Sequence, residues 1–173
     1  MTTKKKFANE SFVIMTEMVL PNDTNTLNNL MGGRLMHWMD IVTAISAQRH
    51  ANSTVVTASA DNISFSKPIN LGDVVTLKAQ VTRAFNSSME VHVTVSAENL
   101  PKGTKQETHS AFFTFVAVDK ENNKLQVPQL IPETAEEKVL YDGALRRRQL
   151  RLVLSKRMSP KDATELKALF DLE

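Results

Sequence analysis

The spacing of the apolar residues changes close to residue 50, from a helical period to alternation. Between residues 33 and 50, the apolar residues recur at intervals of three and four. They are Leu35, Trp38, Met39, Val42 and Ile45. This periodicity predicts a helix. Small residues occupy much of its remaining surface, so we expect the helix to be buried on several sides.

Four segments in which apolar and polar residues alternate follow the helix, at residues 55–65, 73–85, 89–98 and 107–119. Short turns separate them, which predicts an antiparallel meander. A further strand is predicted over residues 11–20, before the helix. We therefore expect an α+β fold in which an antiparallel sheet wraps around one long central helix.

The length of 173 residues suits one domain with short extensions. We expect a flexible tail over residues 1–7, the main domain over residues 8–132 and a charged helical extension over residues 133–173. Within the extension, Ser159 suits an N-cap and Pro160 suits the first helical position.

The composition excludes several classes of protein. The chain has no cysteine, which excludes disulfides, thiol catalysis and cysteine-bound metals. Its net charge of +2 is too small for a dedicated nucleic-acid binder. No apolar run reaches the roughly 18 residues of a membrane span, and no apolar signal segment follows the basic N-terminus. We expect a cytoplasmic protein that binds neither nucleic acid nor membrane.

One acidic residue, Asp40, interrupts the apolar helix. Burying an ionised carboxylate is costly unless the group is paired or functional. A partly desolvated carboxylate accepts a proton from water more readily, which suits a general base. The alternative is that Asp40 faces a subunit boundary and makes a structural ion pair or hydrogen bond there. The residue alone leaves both interpretations open.

Three stretches of the chain occur in a characteristic order: NNLMGGRLMHWMD, VVTASADNISFSKPINLGDVV and NSSMEVHVTV. In this order and spacing the chain resembles the hotdog-fold acyl-CoA thioesterases, within the group of bacterial short-chain and brain-type cytosolic acyl-CoA hydrolases. The resemblance spans about residues 20–118. It implies a hotdog fold and the hydrolysis of acyl-CoA to a free carboxylic acid and CoA.

The resemblance implies a catalytic role for Asp40, which matches the family's helix acid and would act as general base or nucleophile. Asn29 matches the family's loop amide, and its neighbour Asn28 is a rival for this position. In the family, this residue and the acid meet across a dimer interface. As an alternative, both asparagines are ordinary turn residues.

The glycine pair at the start of the helix has a second implied role. The first N–H groups of a helix lack intrahelical partners and attract negative charge. The resemblance implies that the N–H of Gly33, or of Arg34, polarises the thioester carbonyl. Gly32 would let the carbonyl approach the backbone closely. The alternative is a simple tight turn into the helix.

Other residues of the resembling region are expected to bind the substrate's CoA part, whose phosphates need cations and whose pantetheine arm needs a backbone edge. The candidates are Thr57, Ser59, Phe65, Lys67, Arg83, Ser87 and Ser88. The basic run at residues 146–148 could also contact phosphate. Each of these is also compatible with a solvated surface or a turn.

We expect no metal and no cofactor, because coenzyme A is part of the substrate and product and the histidines show no metal-binding spacing. A dyad of His37 with Asp40 is an alternative site, but the chain lacks the G-x-S-x-G motif of a nucleophilic serine.

Two other functions stay open. A hotdog hydratase or dehydratase would need a His–acid motif that is not apparent here. A non-catalytic regulatory module would bind acyl-CoA without turnover. The resemblance also implies a homodimer, with three dimers forming a homohexamer.

Overall fold

The computed structural model describes residues 4–169 except residues 62, 64 and 66. The chain divides into two compact units between Ile131 and Pro132. This boundary lies one residue before the predicted start of the helical extension.

The first unit contains one long helix and seven strands. The helix is α1 (Gly32–Ala51). The strands are β1 (Lys5–Phe7), β2 (Val13–Met18), β3 (Thr54–Asp61), β4 (Val74–Ala84), β5 (Ser88–Asn99), β6 (Thr104–Val118) and β7 (Gln129–Ile131). All five strands predicted from alternation are present as β2 to β6.

Helix α1 packs its apolar stripe against the sheet. Leu35, Met39 and Val42 are at most 2% exposed. The helix ends at Asn52, whose positive φ of 51° gives a left-handed C-cap. The prediction of burial on several sides is only partly right for this chain, because Ile41 and Ile45 remain 36% and 39% exposed.

The main sheet is antiparallel, in the order β2-β4-β5-β6-β3. A long antiparallel sheet around one long helix is the hotdog fold, as predicted. The predicted meander is wrong in one respect: β3 pairs with β6 and not with the next strand, β4. In the sheet, β5 and β6 therefore lie between β4 and β3. This leaves β3 at the sheet edge.

The predicted N-terminal tail is shorter than expected, because Lys5–Phe7 form β1 and pair in parallel with β7. The prediction of a tail through residue 7 is therefore wrong for these three residues. A hydrogen bond also joins β1 to α1, because Nζ of Lys6 donates to the carbonyl of Arg49 at 2.6 Å. Residues 1–3 lie outside the described residues.

The second unit contains α2 (Ala135–Leu154) and the short α3 (Thr164–Lys167). Thr134 caps α2 by accepting from the N–H of Glu137 at 3.1 Å. Ser159 is the N-cap of a 3-10 turn with Pro160 in its first turn, as predicted. Among the described residues, neither α2 nor any other helix combines the length and hydropathy of a membrane span.

Candidate active site

The helix acid is bound by a hydroxyl from the edge strand. Oγ1 of Thr57 donates to Oδ1 of Asp40 at 2.8 Å. The pairing of β3 with β6 shifts register between Thr57 and Ser59, and such bulges often re-aim a side chain. Asp40 is half-buried and forms no ion pair with any described residue. Within the described part of this chain, Asp40 therefore has a hydrogen bond and no ion pair, and a structural role at a subunit boundary stays an alternative.

The loop before α1 is anchored by an ion pair. Nε of Arg34 lies 2.8 Å from Oδ1 of Asp23, which is 8% exposed. The other oxygen of Asp23 accepts from the N–H of Leu20 at 3.0 Å. The carbonyl of Asp23 accepts from the N–H of Met31 at 2.9 Å. One buried aspartate thus fixes both ends of the loop relative to the first turn of the helix.

The N-terminus of α1 presents a free donor. Met31, the N-cap, provides no side-chain cap, and the N–H of Arg34 already donates to the carbonyl of Met31 at 3.0 Å. Of the two predicted carbonyl donors, the N–H of Arg34 therefore already has an acceptor within the chain. No acceptor among the described residues takes the N–H of Gly33. Space is open beside the Cα of Gly33, so a ligand atom can approach it.

The loop asparagines differ in which of their side-chain and backbone groups form hydrogen bonds. Oδ1 of Asn25 accepts from the N–H groups of Leu27 and Asn29 at 2.9 and 3.2 Å. No described residue accepts from the amide nitrogen of Asn25. Asn29 is held by its backbone, because its carbonyl accepts from the N–H of Asn25 at 2.8 Å. Asn28 adopts a positive φ of 58° and is a turn residue.

A cavity of about 310 Å³ lies beside the start of α1. Four of the predicted site residues line it: Asn29, Gly32, Phe65 and Lys67. A Cβ on Gly32 would lie 3.4 Å from the Phe65 ring, so glycine here leaves the cavity room next to the ring. His109 of β6 also lines this cavity. Sequence reasoning missed His109 because nothing distinguishes it from other residues of an alternating strand.

The remaining predicted residues make local contacts. Oγ of Ser59 donates to Asp61 at 3.2 Å, and Nζ of Lys67 donates to the carbonyl of Glu107 at 3.0 Å. Arg83 lies over the Phe85 ring at 5.9 Å. Ser87 and Ser88 form the turn into β5, and Ser88 pairs with Val116 of β6.

The predicted residues fall into two groups within one chain. Asp40 and Thr57 lie near the end of the sheet that carries the β4–β5 turn, because Thr57 and Met89 both pair with Phe115. Gly33, Asn29 and the cavity lie at the start of α1. Seven residues separate Gly33 from Asp40, which places them about 10 Å apart along a helix. His37 is exposed and bonds no described residue, so the alternative dyad with Asp40, which the sequence did not favour, is not formed among the described residues.

His109 is the cavity residue whose pKa is shifted. Burial lowers the pKa of His109 below its usual 6.5, so its imidazole is neutral near pH 7. Within the described residues, no cluster of three His, Asp or Glu side chains could hold a metal ion.

Comparison with known proteins decides the family. Residues 27–104 match the thioesterase superfamily model. The chain is 43% identical over 146 residues to the uncharacterized acyl-CoA thioester hydrolase YkhA of Bacillus subtilis, covering 84% of this chain and 85% of that protein. The chain belongs to the acyl-CoA hydrolases of the thioesterase superfamily. Mouse acyl-coenzyme A thioesterase 11 is 44% identical over 147 residues, and this chain spans 25% of its length.

Solved acyl-CoA hydrolases share the fold of this family member. The Staphylococcus aureus enzyme in complex with butyryl coenzyme A and coenzyme A gives a TM-score of 0.81 at 38% identity, covering 88% of this chain and 95% of that one. An apo-hexameric acyl-CoA thioesterase gives a TM-score of 0.85 at 39% identity, covering 88% and 97%. Variants of the S. aureus enzyme carry alanine for an asparagine at position 28, an aspartate at 43 or a threonine at 60 of its own chain.

Proposed function

We propose that this protein hydrolyses acyl-CoA thioesters to a free carboxylic acid and CoA, with residues 8–132 as the catalytic domain. The observation that carries the proposal is the hydrogen bond from Thr57 to Asp40. It orients a half-buried carboxylate that no described cation neutralises. Such a group can accept a proton from a water molecule beside a bound thioester.

The positions substituted in the S. aureus enzyme support these roles. In that chain an asparagine, an aspartate and a threonine were replaced at positions 28, 43 and 60. In this chain Asn25, Asp40 and Thr57 each stand three positions earlier. One constant offset brings three different residue types into register. It also favours Asn25 over Asn29, the residue expected from the sequence, as the amide that acts with the acid.

In the proposed hydrolysis, Asp40 takes a proton from water, and the water oxygen attacks the thioester carbonyl carbon. The carbonyl oxygen becomes negative and accepts from the free N–H of Gly33, at the positive end of the helix. The carbon–sulfur bond then breaks, and the CoA sulfur leaves and takes up a proton. In the alternative, an oxygen of Asp40 attacks the carbonyl carbon, the carbon–sulfur bond breaks and the CoA sulfur leaves and takes up a proton. Water then hydrolyses the mixed anhydride to the free acid and Asp40. Neither route requires a metal or cofactor.

We propose that two subunits build this site. A single thioester group must reach both Asp40 and Gly33, which are about 10 Å apart along one helix. A second subunit that faces the first in the opposite direction would supply the N–H and the Asn25 amide of one chain to the acid of the other. We therefore propose a homodimer with shared sites. The hexameric solved relative supports a larger assembly, and we propose a trimer of dimers.

The CoA part is proposed to bind at the rim of this site. Arg83 and the turn at Ser87 and Ser88 lie toward the end of the sheet that also holds Thr57. A guanidinium there suits a phosphate group. Phe65 and Lys67 line the cavity near the other half of the site. We also propose a cytoplasmic location, where acyl-CoA esters are available.

Thiol release from a series of acyl-CoA esters, short to long, tests this function. Wild type and Asp40→Asn are compared side by side, and circular dichroism verifies that the variant is folded. Release by wild type that falls at least 100-fold in the variant supports the proposal. If wild type binds CoA tightly but releases no thiol from any ester, the chain is instead an acyl-CoA-binding regulatory module.

A further inference from the structure

A buried histidine in the cavity beside α1 has no hydrogen-bond partner among the described residues. His109 is 9% exposed, and neither Nδ1 nor Nε2 bonds a described residue. A buried polar group without a partner costs free energy comparable to a lost hydrogen bond. The cavity of about 310 Å³ lies directly against this side chain. A ligand atom in the cavity would supply the missing partner.

Two features of the strand pairing surround the position of His109 in β6. Strand β6 begins at Thr104, whereas its pairing with β3 covers only Phe112 to Val118. His109 therefore lies on a part of β6 that extends beyond β3. The pairing of β5 with β6 shifts register between Val95 and Ser96, opposite His109. Bulges of this kind occur next to binding sites, where they re-aim a side chain.

The cavity walls indicate the chemistry of the ligand. Leu30, Leu35 and Ile69 line it as apolar groups, and the Phe65 ring lies 5.5 Å from the His109 ring, centroid to centroid. Lys67 is the cationic residue of the lining, and its Nζ donates to the carbonyl of Glu107. A neutral imidazole offers one N–H donor and one acceptor. It therefore suits an uncharged amide, keto or hydroxyl group that is flanked by methylenes.

We propose that this cavity is a substrate subsite and that His109 binds an uncharged polar group of the acyl-CoA through a ring nitrogen. The proposal rests on the proposed function and adds a recognition residue to it. Two parts of the substrate carry this chemistry: the amides of the pantetheine arm, and an acyl chain that bears a keto or hydroxyl oxygen. The volume suits one such segment and is small for a whole CoA ester.

The test compares wild type, His109→Leu and His109→Gln. Kd for CoA is measured by calorimetry, and kcat and KM are measured for acyl-CoA esters with and without a 3-hydroxyl group. Leucine fills a similar volume without a polar atom, and we expect it to raise Kd or KM roughly three- to tenfold with little change in kcat. Glutamine keeps a donor and an acceptor, so it should restore values to within about threefold of wild type.

Thermal stability separates binding from a structural role. Because His109 is unsatisfied in the free protein, His109→Leu should leave the Tm unchanged or raise it. His92→Gln is the matched control, because His92 stacks on Phe112 at 4.6 Å and does not line the cavity. Weaker binding together with an undiminished Tm is not expected of a structural histidine.

The pattern across ligands identifies the source of the polar group. If the pantetheine arm occupies the cavity, His109→Leu weakens CoA and every ester alike. If the acyl chain occupies it, only the hydroxylated esters are affected. Unchanged Kd and KM for all ligands would overturn the proposal, as would an effect confined to subunit assembly measured by size-exclusion chromatography. Absence of both turnover and CoA binding in wild type would instead overturn the proposed function.

Discussion

The hydroxyl of Thr57 and the carboxylate of Asp40 are joined by a 2.8 Å hydrogen bond between edge strand and helix. No described residue donates to the second carboxylate oxygen of Asp40, where we propose that a water molecule binds. It also makes the position of the acid depend on β3, a strand at the edge of the sheet. The carboxylate that we propose as catalytic is thus oriented from outside its own helix.

Removing the Thr57 hydroxyl should reduce activity without unfolding the protein. Thr57→Val keeps the shape and suits a strand, but one hydrogen bond to the acid is lost, so kcat/KM should fall about tenfold. Thr57→Ser keeps the donor and should retain most activity. Thr54→Val, at the start of the same strand, is the matched control. Equal kcat/KM for Thr57→Val and wild type would remove this bond from the mechanism.

The two loop asparagines are expected to differ. Asn25→Ala removes the side chain whose Oδ1 is already held by two N–H groups, and we expect kcat to fall roughly 100-fold as a positioned donor is lost. Asn29→Ala keeps the backbone bonds of the loop and should change kcat less than about fivefold. The opposite ranking of the two kcat values would return the role to Asn29.

Mixing inactive subunits should restore activity if each site uses two chains. Asp40→Asn and Asn25→Ala proteins are unfolded together, refolded and assayed for thiol release. Half of the dimers would be mixed and each would have one complete site, so about a quarter of wild-type activity is expected. Asp40→Asn mixed with Asp40→Ala is the control and should stay inactive. No recovery despite subunit exchange, shown by mass spectrometry, argues for a site within one chain.

A methyl group at the helix start should separate stability from activity. Gly33→Ala has open space for its Cβ, and alanine favours helix over glycine, so unfolding should cost up to about 1 kcal/mol more. The same methyl group lies where a thioester oxygen would approach, so kcat/KM should fall roughly tenfold. Urea unfolding and thiol release measure the two effects. Unchanged kcat/KM would show that the carbonyl does not approach Gly33.

Acid should destabilise the fold partly through His50. Its Nε2 lies 2.8 Å from the carbonyl of Pro128, and burial lowers its pKa below 6.5, against a smaller raising effect of that hydrogen bond. The unfolded chain therefore takes up protons more readily, so stability is greatest above about pH 6.5 and falls as the pH drops. His50→Gln should show a smaller drop in Tm between pH 7.5 and 5.5. An equal drop in the two proteins would contradict this assignment.

The helix could be predicted well from the sequence, but the neighbour of β3 could not. Apolar spacing located α1 to within about one residue at each end, because only a buried helix produces a three-to-four period over so many residues. Alternation likewise found β4, β5 and β6. It says which face of a strand is buried, but it contains no information about which strand lies alongside. The crossing of β3 to β6 therefore became visible only in the structure.

Within the candidate site, a residue could be predicted from the sequence when its side chain is unusual among its neighbours. Asp40 stood out because a carboxylate is unusual in an apolar helix. Among the loop asparagines, Asn29 was named only through the resemblance and Asn25 was not named, because turn propensity alone accounts for each of them. His109 occupies an inward position of an alternating strand, where a histidine attracts no notice. Its missing hydrogen bonds and the adjoining cavity are properties of the packed molecule.

An edge strand has consequences beyond catalysis. The outer side of β3 carries backbone N–H and C=O groups that can template any other strand, and such edges promote aggregation unless they are covered. Pairing β3 with a second copy would cover this edge at the same time as it completes the proposed site. Selection for solubility and selection for turnover would then act on the same eight residues. A subunit that fails to form this dimer would lack a complete site and would also be prone to aggregate.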